Sequence, residues 1–166
     1  MTGKMRHAAS FFLAAVMTLS LAFSHGVPVY ADGGNITIAS VEDLEELAKN
    51  CKLDTWSQGK TVTLTADLDL TDSDFTSIPT FGGTFDGGGH TISGLSYTKD
   101  GSTEGFFRYI QEGAVVRNLR VEGILSPTGT GKNIGGIAGS NSGAISSCTF
   151  AGTIEGETNV GGIAGI

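Results

Sequence analysis

The residues of this chain with the means to do chemistry are few, and most lie in one acidic stretch. Asp67, Asp69, Asp72, Asp74 and Asp86 carry carboxylates at short intervals. Such oxygens suit Ca²⁺, yet the stretch lacks the glycine and glutamate placements of an EF-hand loop and the GGxGxD repeat of a Ca²⁺-binding β-roll. Solvated loop carboxylates are the expectation. A glycosidase would use two carboxyls at a set separation across a bound sugar, which spacing in sequence does not establish. His90, in the turn from Asp86 to Thr91 (DGGGHT), has no second His or Cys at metal-ligand spacing, so a structural role is expected. The serines form no GxSxG elbow. Gly129 to Lys132 (GTGK) evokes a phosphate loop, but Asn133 stands where Ser or Thr is required. No catalytic, cofactor-binding or metal-ligating residue is assigned, and no cofactor is expected.

The elements that would position any site are repeats. Ile134 to Gly139 (IGGIAG) returns as Val160 to Gly165 (VGGIAG), 26 residues later. Self-similarity at such a period marks a chain that stacks one supersecondary unit on the next. Ile145, Cys148 and Phe150 are spaced i, i+3, i+5, and the same spacing holds for Val116, Leu119, Val121 and for Ile92, Leu95, Tyr97. This predicts one inward ladder of Ile92, Val116 and Ile145, and another of Leu95, Leu119 and Cys148. A Gly inside a helix costs roughly 1 kcal/mol relative to Ala, so units rich in GG and AG pairs do not build a helical solenoid. Glycine suits corners, where φ > 0 or close backbone approach is needed. Short β-type runs between such corners predict an all-β fold, a right-handed parallel β-helix burying one continuous core.

Phe81 to Leu95 (FGGTFDGGGHTISGL), Gly105 to Phe107 (GFF), Val116 to Gly123 (VRNLRVEG) and the two GGIAG copies resemble the GLUG-motif repeat proteins of bacterial surfaces. The resemblance covers Ile36 to the end. It implies β-helix coils of adhesin-like or surface-protease-associated proteins, and little about activity. One departure is Arg108-Tyr109, which alignment by the glycines sets opposite Ala138-Gly139.

The first residues read as an export signal. Lys4 and Arg6 precede an apolar run from Ala8 to Phe23, and Val29-Tyr30-Ala31 offers small residues to a signal peptidase, so residues 1–31 are expected to be removed. The run is short for a membrane span, and no later segment approaches the roughly 18 apolar residues that would suggest one. Loss of Lys4 and Arg6 takes the formal net charge from −7 to −9. That acidity argues against nucleic acid and anionic membrane surfaces, which demand a basic stripe, and the expected partner is a glycan or a protein.

An N-terminal cap is expected over 32–80, followed by GLUG-like coils over 81–166. Ser40 opens a helix over about 40–51 through a capping-box variant, with Val41, Leu44, Leu47, Ala48 and Cys51 on one face. Laid over the first coil, such a helix covers unpaired backbone groups that would otherwise invite aggregation. Thr61 to Leu70 alternates like a first strand. Cys51 on that helix and Cys148 in a later coil are too far apart for the roughly 7 Å Cα separation of a disulfide, and both are expected as free thiols. The chain stops just after a repeat signature without a polar cap, so C-terminal incompleteness and self-association through that end are expected.

Together these features point to a secreted or cell-surface repeat protein with a structural or adhesive role, and not to an enzyme. Two alternatives stay open: the N-terminal part of a β-helix polysaccharide-degrading enzyme, or an accessory segment of a larger surface protease whose chemistry lies beyond Ile166. N-terminal sequencing of the exported chain is expected to begin at Asp32; Met1 retained in a membrane fraction is the contrary result.

Overall fold

The computed structural model describes residues 34–166, so the signal segment expected over 1–31 lies outside the described residues. In chain order the elements are β1 (Asn35–Ile38), α1 (Val41–Asn50), β2 (Thr61–Leu64), β3 (Leu68–Asp69), β4 (Ile78–Phe81), β5 (Thr84–Asp86), β6 (Thr91–Tyr97) and β7 (Thr103–Glu104). They continue with β8 (Phe107–Ile110), β9 (Val115–Arg117), β10 (Arg120–Leu125), β11 (Asn133–Gly135), β12 (Ala138–Asn141), β13 (Ala144–Ser146), β14 (Thr149–Ile154) and β15 (Val160–Gly161).

Apart from β1 and β2, strands adjacent in space are not adjacent in sequence. The four sheets have the orders β1-β2-β5-β9-β13, β3-β6-β10-β14, β7-β11-β15 and β4-β8-β12, and the pairings within them are parallel. Each strand inside a sheet therefore bonds to the coil before and the coil after, and the strands at the two ends of the stack to one coil only. This is a parallel β-solenoid of about four turns with one short helix near its N-terminus, as the glycine-rich repeats predict.

The helix forms where its cap residue stands. Ser40 Oγ accepts from the Asp43 N–H at 3.2 Å, and Asp43 Oδ2 accepts from the Ser40 N–H at 3.1 Å, a reciprocal capping box. Leu44, Leu47 and Cys51 are buried, with Val41 and Ala48 packed against the same core. The helix lies against β1 and β4. The Thr61 to Leu70 run divides into β2 and β3, which belong to different sheets because the chain turns a corner between them.

Inward ladders carry the core. Val62, Phe85, Val116 and Ile145 are in register on one sheet, and Leu68, Ile92, Val121 and Phe150 on another. The spacing-based ladder is thus corrected at one member: Ile92 pairs with Val121, and Phe85 is the partner of Val116. The cause is a longer corner, since Gly87-Gly88-Gly89-His90 separates β5 from β6 where only Asn118-Leu119 separates β9 from β10. Leu95 correspondingly sits opposite Gly123, at a register shift. Phe81, Phe85, Phe106 and Phe107 form a fully buried aromatic cluster, with Phe106 and Phe107 5.0 Å apart edge to face and Phe85 5.4 Å from Phe107.

The two copies of the signature do not use their glycines alike. A Cβ on Gly135 would lie 2.1 Å from the Ala138 oxygen and 2.5 Å from the Gly165 nitrogen, whereas one on Gly162 would meet nothing within 4 Å. Neither residue has a positive φ. Gly135→Ala is therefore expected to lower the urea midpoint sharply, and Gly162→Ala to stay within about 0.5 kcal/mol of the parent. In the same melts Phe85→Ala is expected to cost about 3 to 5 kcal/mol as a buried cavity, and a parent-like midpoint would contradict the ladder assignment.

Candidate functional site

Of the acidic residues singled out by sequence, Asp69, Asp72 and Asp74 border one open cleft of about 360 Å³ beside Glu42 and Glu45 of α1, while Asp67 and Asp86 lie outside it. Asp67 Oδ1 accepts from the Thr91 N–H at 2.8 Å and lies 3.2 Å from His90 Nδ1, so both residues brace a corner between coils. Asp69 caps the Thr71 N–H and hydroxyl. Asp86 accepts from the Gly88 N–H at 3.0 Å, Asn118 Nδ2 at 3.1 Å and Arg117 Nε at 2.8 Å. These bonds hold all three carboxyls below the ordinary carboxylate range, chiefly through the N–H of Thr91 for Asp67, the hydroxyl of Thr71 for Asp69 and the N–H of Gly88 for Asp86. Among the described residues no group of three or more His, Cys, Asp or Glu side chains could hold a metal ion. Cys51 is buried and its thiol is pushed up to about 11 by that burial, while Cys148 is half-buried and also raised by burial. Neither thiol resembles an activated nucleophile.

The polar cluster that breaks the pattern of the stack lies elsewhere, at the junction of β7 and β8. Glu104 pairs with Ile134, which in turn pairs with Val160, so a carboxylate occupies a ladder position that the next two coils fill with apolar side chains. It is 2% exposed. Its Oε1 accepts from Arg108 Nη2 at 2.8 Å and its Oε2 from Arg108 Nε at 3.4 Å, a two-point pairing along one edge of the guanidinium. Burial raises the Glu104 carboxyl above its ordinary value and outweighs the opposing pull of Arg108. Tyr97, whose hydroxyl donates to the Asp100 carbonyl at 3.1 Å, is itself raised by burial and then by the charge of Glu104.

Register explains how Arg108 reaches this place. Phe107 pairs with Ala138 and Tyr109 with Ser140, which puts Arg108 opposite Gly139. The alignment of Arg108-Tyr109 with Ala138-Gly139 is thus corrected by one residue: between its ladder residue and β8 this coil is one residue shorter, with Phe106 spanning the space of Gly136-Ile137. Arg108 then points outward beside Tyr109, which is 44% exposed and flanked along the sheet by Thr80 and Ser140.

Arg108 borders two clefts. One, of about 240 Å³, is lined by Tyr97, Asp100, Glu104 and Tyr109. The other, of about 440 Å³, runs under α1 and is lined by Lys49, Lys52, Glu45, Asp74 and Phe75. Sequence reasoning missed this cluster. The available signal was a Glu in a slot where the later repeat copies carry Ile134 and Val160.

No family model matches the chain, and no solved structure matches it. Over 86 residues it is 38% identical to halomucin of Haloquadratum walsbyi, a stretch that makes up 51% of this chain and 1% of halomucin. The chain thus spans a very small part of that relative.

Replacing a buried ion pair by apolar groups is often neutral or stabilising, whereas removing one partner strands a charge. Glu104→Ile with Arg108→Ala is expected to melt between parent level and about 2 kcal/mol above it, and Glu104→Ala alone below it. For Asp86 the depressed folded value means that its stabilisation is complete above the unfolded carboxylate value and is lost as pH falls through the lower folded value. Asp86→Asn is therefore expected to flatten the stability loss below about pH 4 in acid melts.

Proposed function

We propose that this chain is a secreted or cell-surface repeat protein of bacterial type with a structural or adhesive role, in which a rigid stack of coils displays binding groups along its length. The observation that carries the reading is the solenoid itself, whose strands are hydrogen-bonded from coil to coil and whose outer positions, such as Thr80, Tyr109 and Ser140, form rows on one face. Rows of this kind suit an extended partner such as a glycan chain or a protein surface. The similarity to halomucin supports a surface repeat protein. The resemblance to GLUG-motif repeats supports the same placement, and so does the export signal read in residues 1–31. Among the described residues no helix is long and apolar enough to cross a membrane.

A binding role fits the cluster at β7 and β8 better than catalysis does. Both oxygens of Glu104 are occupied by Arg108, so the carboxyl is not offered to a substrate. Antibody labelling of intact cells and adhesion of the purified exported chain to glycan-coated and protein-coated surfaces test the proposal together. Surface labelling with saturable adhesion is expected, and reducing-end release from polysaccharides is expected to stay at background. A chain confined to the cell interior, or one that depolymerises a polysaccharide, overturns it.

A further inference from the structure

Arg108 is held in a way the fold does not require. The ladder position of Glu104 is filled by Ile134 and Val160 in the following coils, and the position of Arg108 by Gly139, so neither charge is a condition of stacking. Burying a carboxylate there carries a desolvation cost that Ile avoids. What the carboxylate achieves is orientation: it takes Nε and Nη2 of Arg108, fixes the guanidinium plane, and leaves Nη1 without a partner among the described residues. The Arg108 side chain is 39% exposed. A guanidinium pinned on one edge and open on the other is a preorganised receptor for a carboxylate.

Its surroundings narrow the ligand. Lys49 and Lys52 line the cleft shared with Arg108, and neither side chain has an ion-pair partner among the described residues. Three of the eight cationic side chains after the signal segment thus gather at one cleft of an otherwise acidic chain. Glu45 and Asp74 border that cleft, Asp100 borders the adjoining cleft that holds Tyr109, and the chain as a whole is negative, so a long polyanion is repelled while one carboxylate is accommodated at the guanidinium. The exposed Tyr109 borders the smaller cleft together with Arg108, with Thr80 and Ser140 as its neighbours along the sheet. An exposed aromatic between small neighbours offers a flat apolar platform for the C–H face of a pyranose ring.

We propose that Arg108 and Tyr109 form a binding subsite for a single uronic-acid unit, the carboxylate on the guanidinium and the sugar ring on the tyrosine, within an otherwise neutral glycan. Lys49 and Lys52, on the neighbouring cleft that Arg108 also borders, add to the positive field at the guanidinium. The inference deepens the adhesive reading and rests on it for its biological setting, but its chemistry is tested separately.

The test is a titration of the exported chain with galacturonate and glucuronate, and with galactose and glucose as neutral counterparts, at constant ionic strength, followed by amide chemical shifts. At least one uronate is expected to give saturable shifts in β8 and the last turn of α1, with Kd of order millimolar, while the neutral sugars give none. Arg108→Lys keeps the charge and loses the fork, and is expected to weaken binding about tenfold. Tyr109→Ala, an exposed position that leaves the ion pair intact, is expected to weaken the uronate and leave acetate unaffected. Thermal melts of both variants establish that they are folded. Equal affinity for acetate and for the uronates, tighter binding of a glutamate tripeptide than of either uronate, or shifts unchanged in Arg108→Lys and Tyr109→Ala would each overturn the proposal. If the chain adheres to surfaces but no uronate binds, this subsite falls and the adhesive reading stands. If a uronate binds at β8 and no surface is adhered to, the subsite stands without it.

Discussion

Everything in this molecule depends on coil-to-coil stacking in parallel register. Each strand is too short to hold its conformation alone, and its inward side chain meets the side chain one coil earlier and one coil later. Val62, Phe85, Val116 and Ile145 show the consequence: four residues far apart in sequence occupy one continuous row. Most insertions and deletions fall in corners and excursions because a slip within a strand would turn a whole ladder outward, the exception being the extra residue of β6 between Ile92 and Leu95, opposite Glu122. The longer Gly87-Gly88-Gly89-His90 corner and the shorter passage through Phe106 both obey this rule, changing chain length without changing register inside a strand.

That constraint decides what was legible in the sequence. The fold class could be read because glycine pairs and short β-branched runs admit few other architectures, and the helix because Ser40 and Asp43 form a local device needing no distant partner. Of the three i, i+3, i+5 triplets, two occupy equivalent places: Val116 pairs with Ile145 and Val121 with Phe150. The third, beginning at Ile92, has the same spacing for a different reason, because it lies within β6 and does not cross a corner. Spacing alone does not separate a corner from a strand. The glycines of the repeat signature likewise announced close packing, but which neighbours they admit depends on contacts between coils. A Cβ on Gly105 would lie 2.6 Å from the Gly135 oxygen and 2.7 Å from the Gly139 nitrogen, a meeting of two signatures that neither displays by itself.

The candidate site was hidden for a related reason. Carboxylates are dense from Asp67 to Asp86, yet Asp67, Asp69 and Asp86 brace corners by accepting backbone and side-chain hydrogen bonds. Glu104 is isolated in sequence and significant only by position, as the one ionisable residue of the row it shares with Ile134 and Val160. Reading it required the register of β7 against β11. Sequence comparison between repeats could have supplied that register had the coil not been one residue short just after Glu104.

The missing residue also explains why the charge pair is possible there and not in the next coil. Phe106 and Phe107 bring two aromatic rings into the interior where the following coil has Gly136, Ile137 and Ala138, and both rings pack against Phe85. With that volume supplied from β8, the ladder place of Glu104 need not be filled by an aliphatic side chain to keep the core dense. Gly139 in the next coil completes the arrangement, since a Cβ there would lie 2.8 Å from the Glu104 nitrogen and 3.0 Å from the Arg108 oxygen. A larger residue at that position would press on the backbone that carries both partners. The pair thus sits where one coil has an excess of aromatic volume and its neighbour a deficit of side chain, a local exception that the regular stack tolerates because its effects end at the adjacent coil.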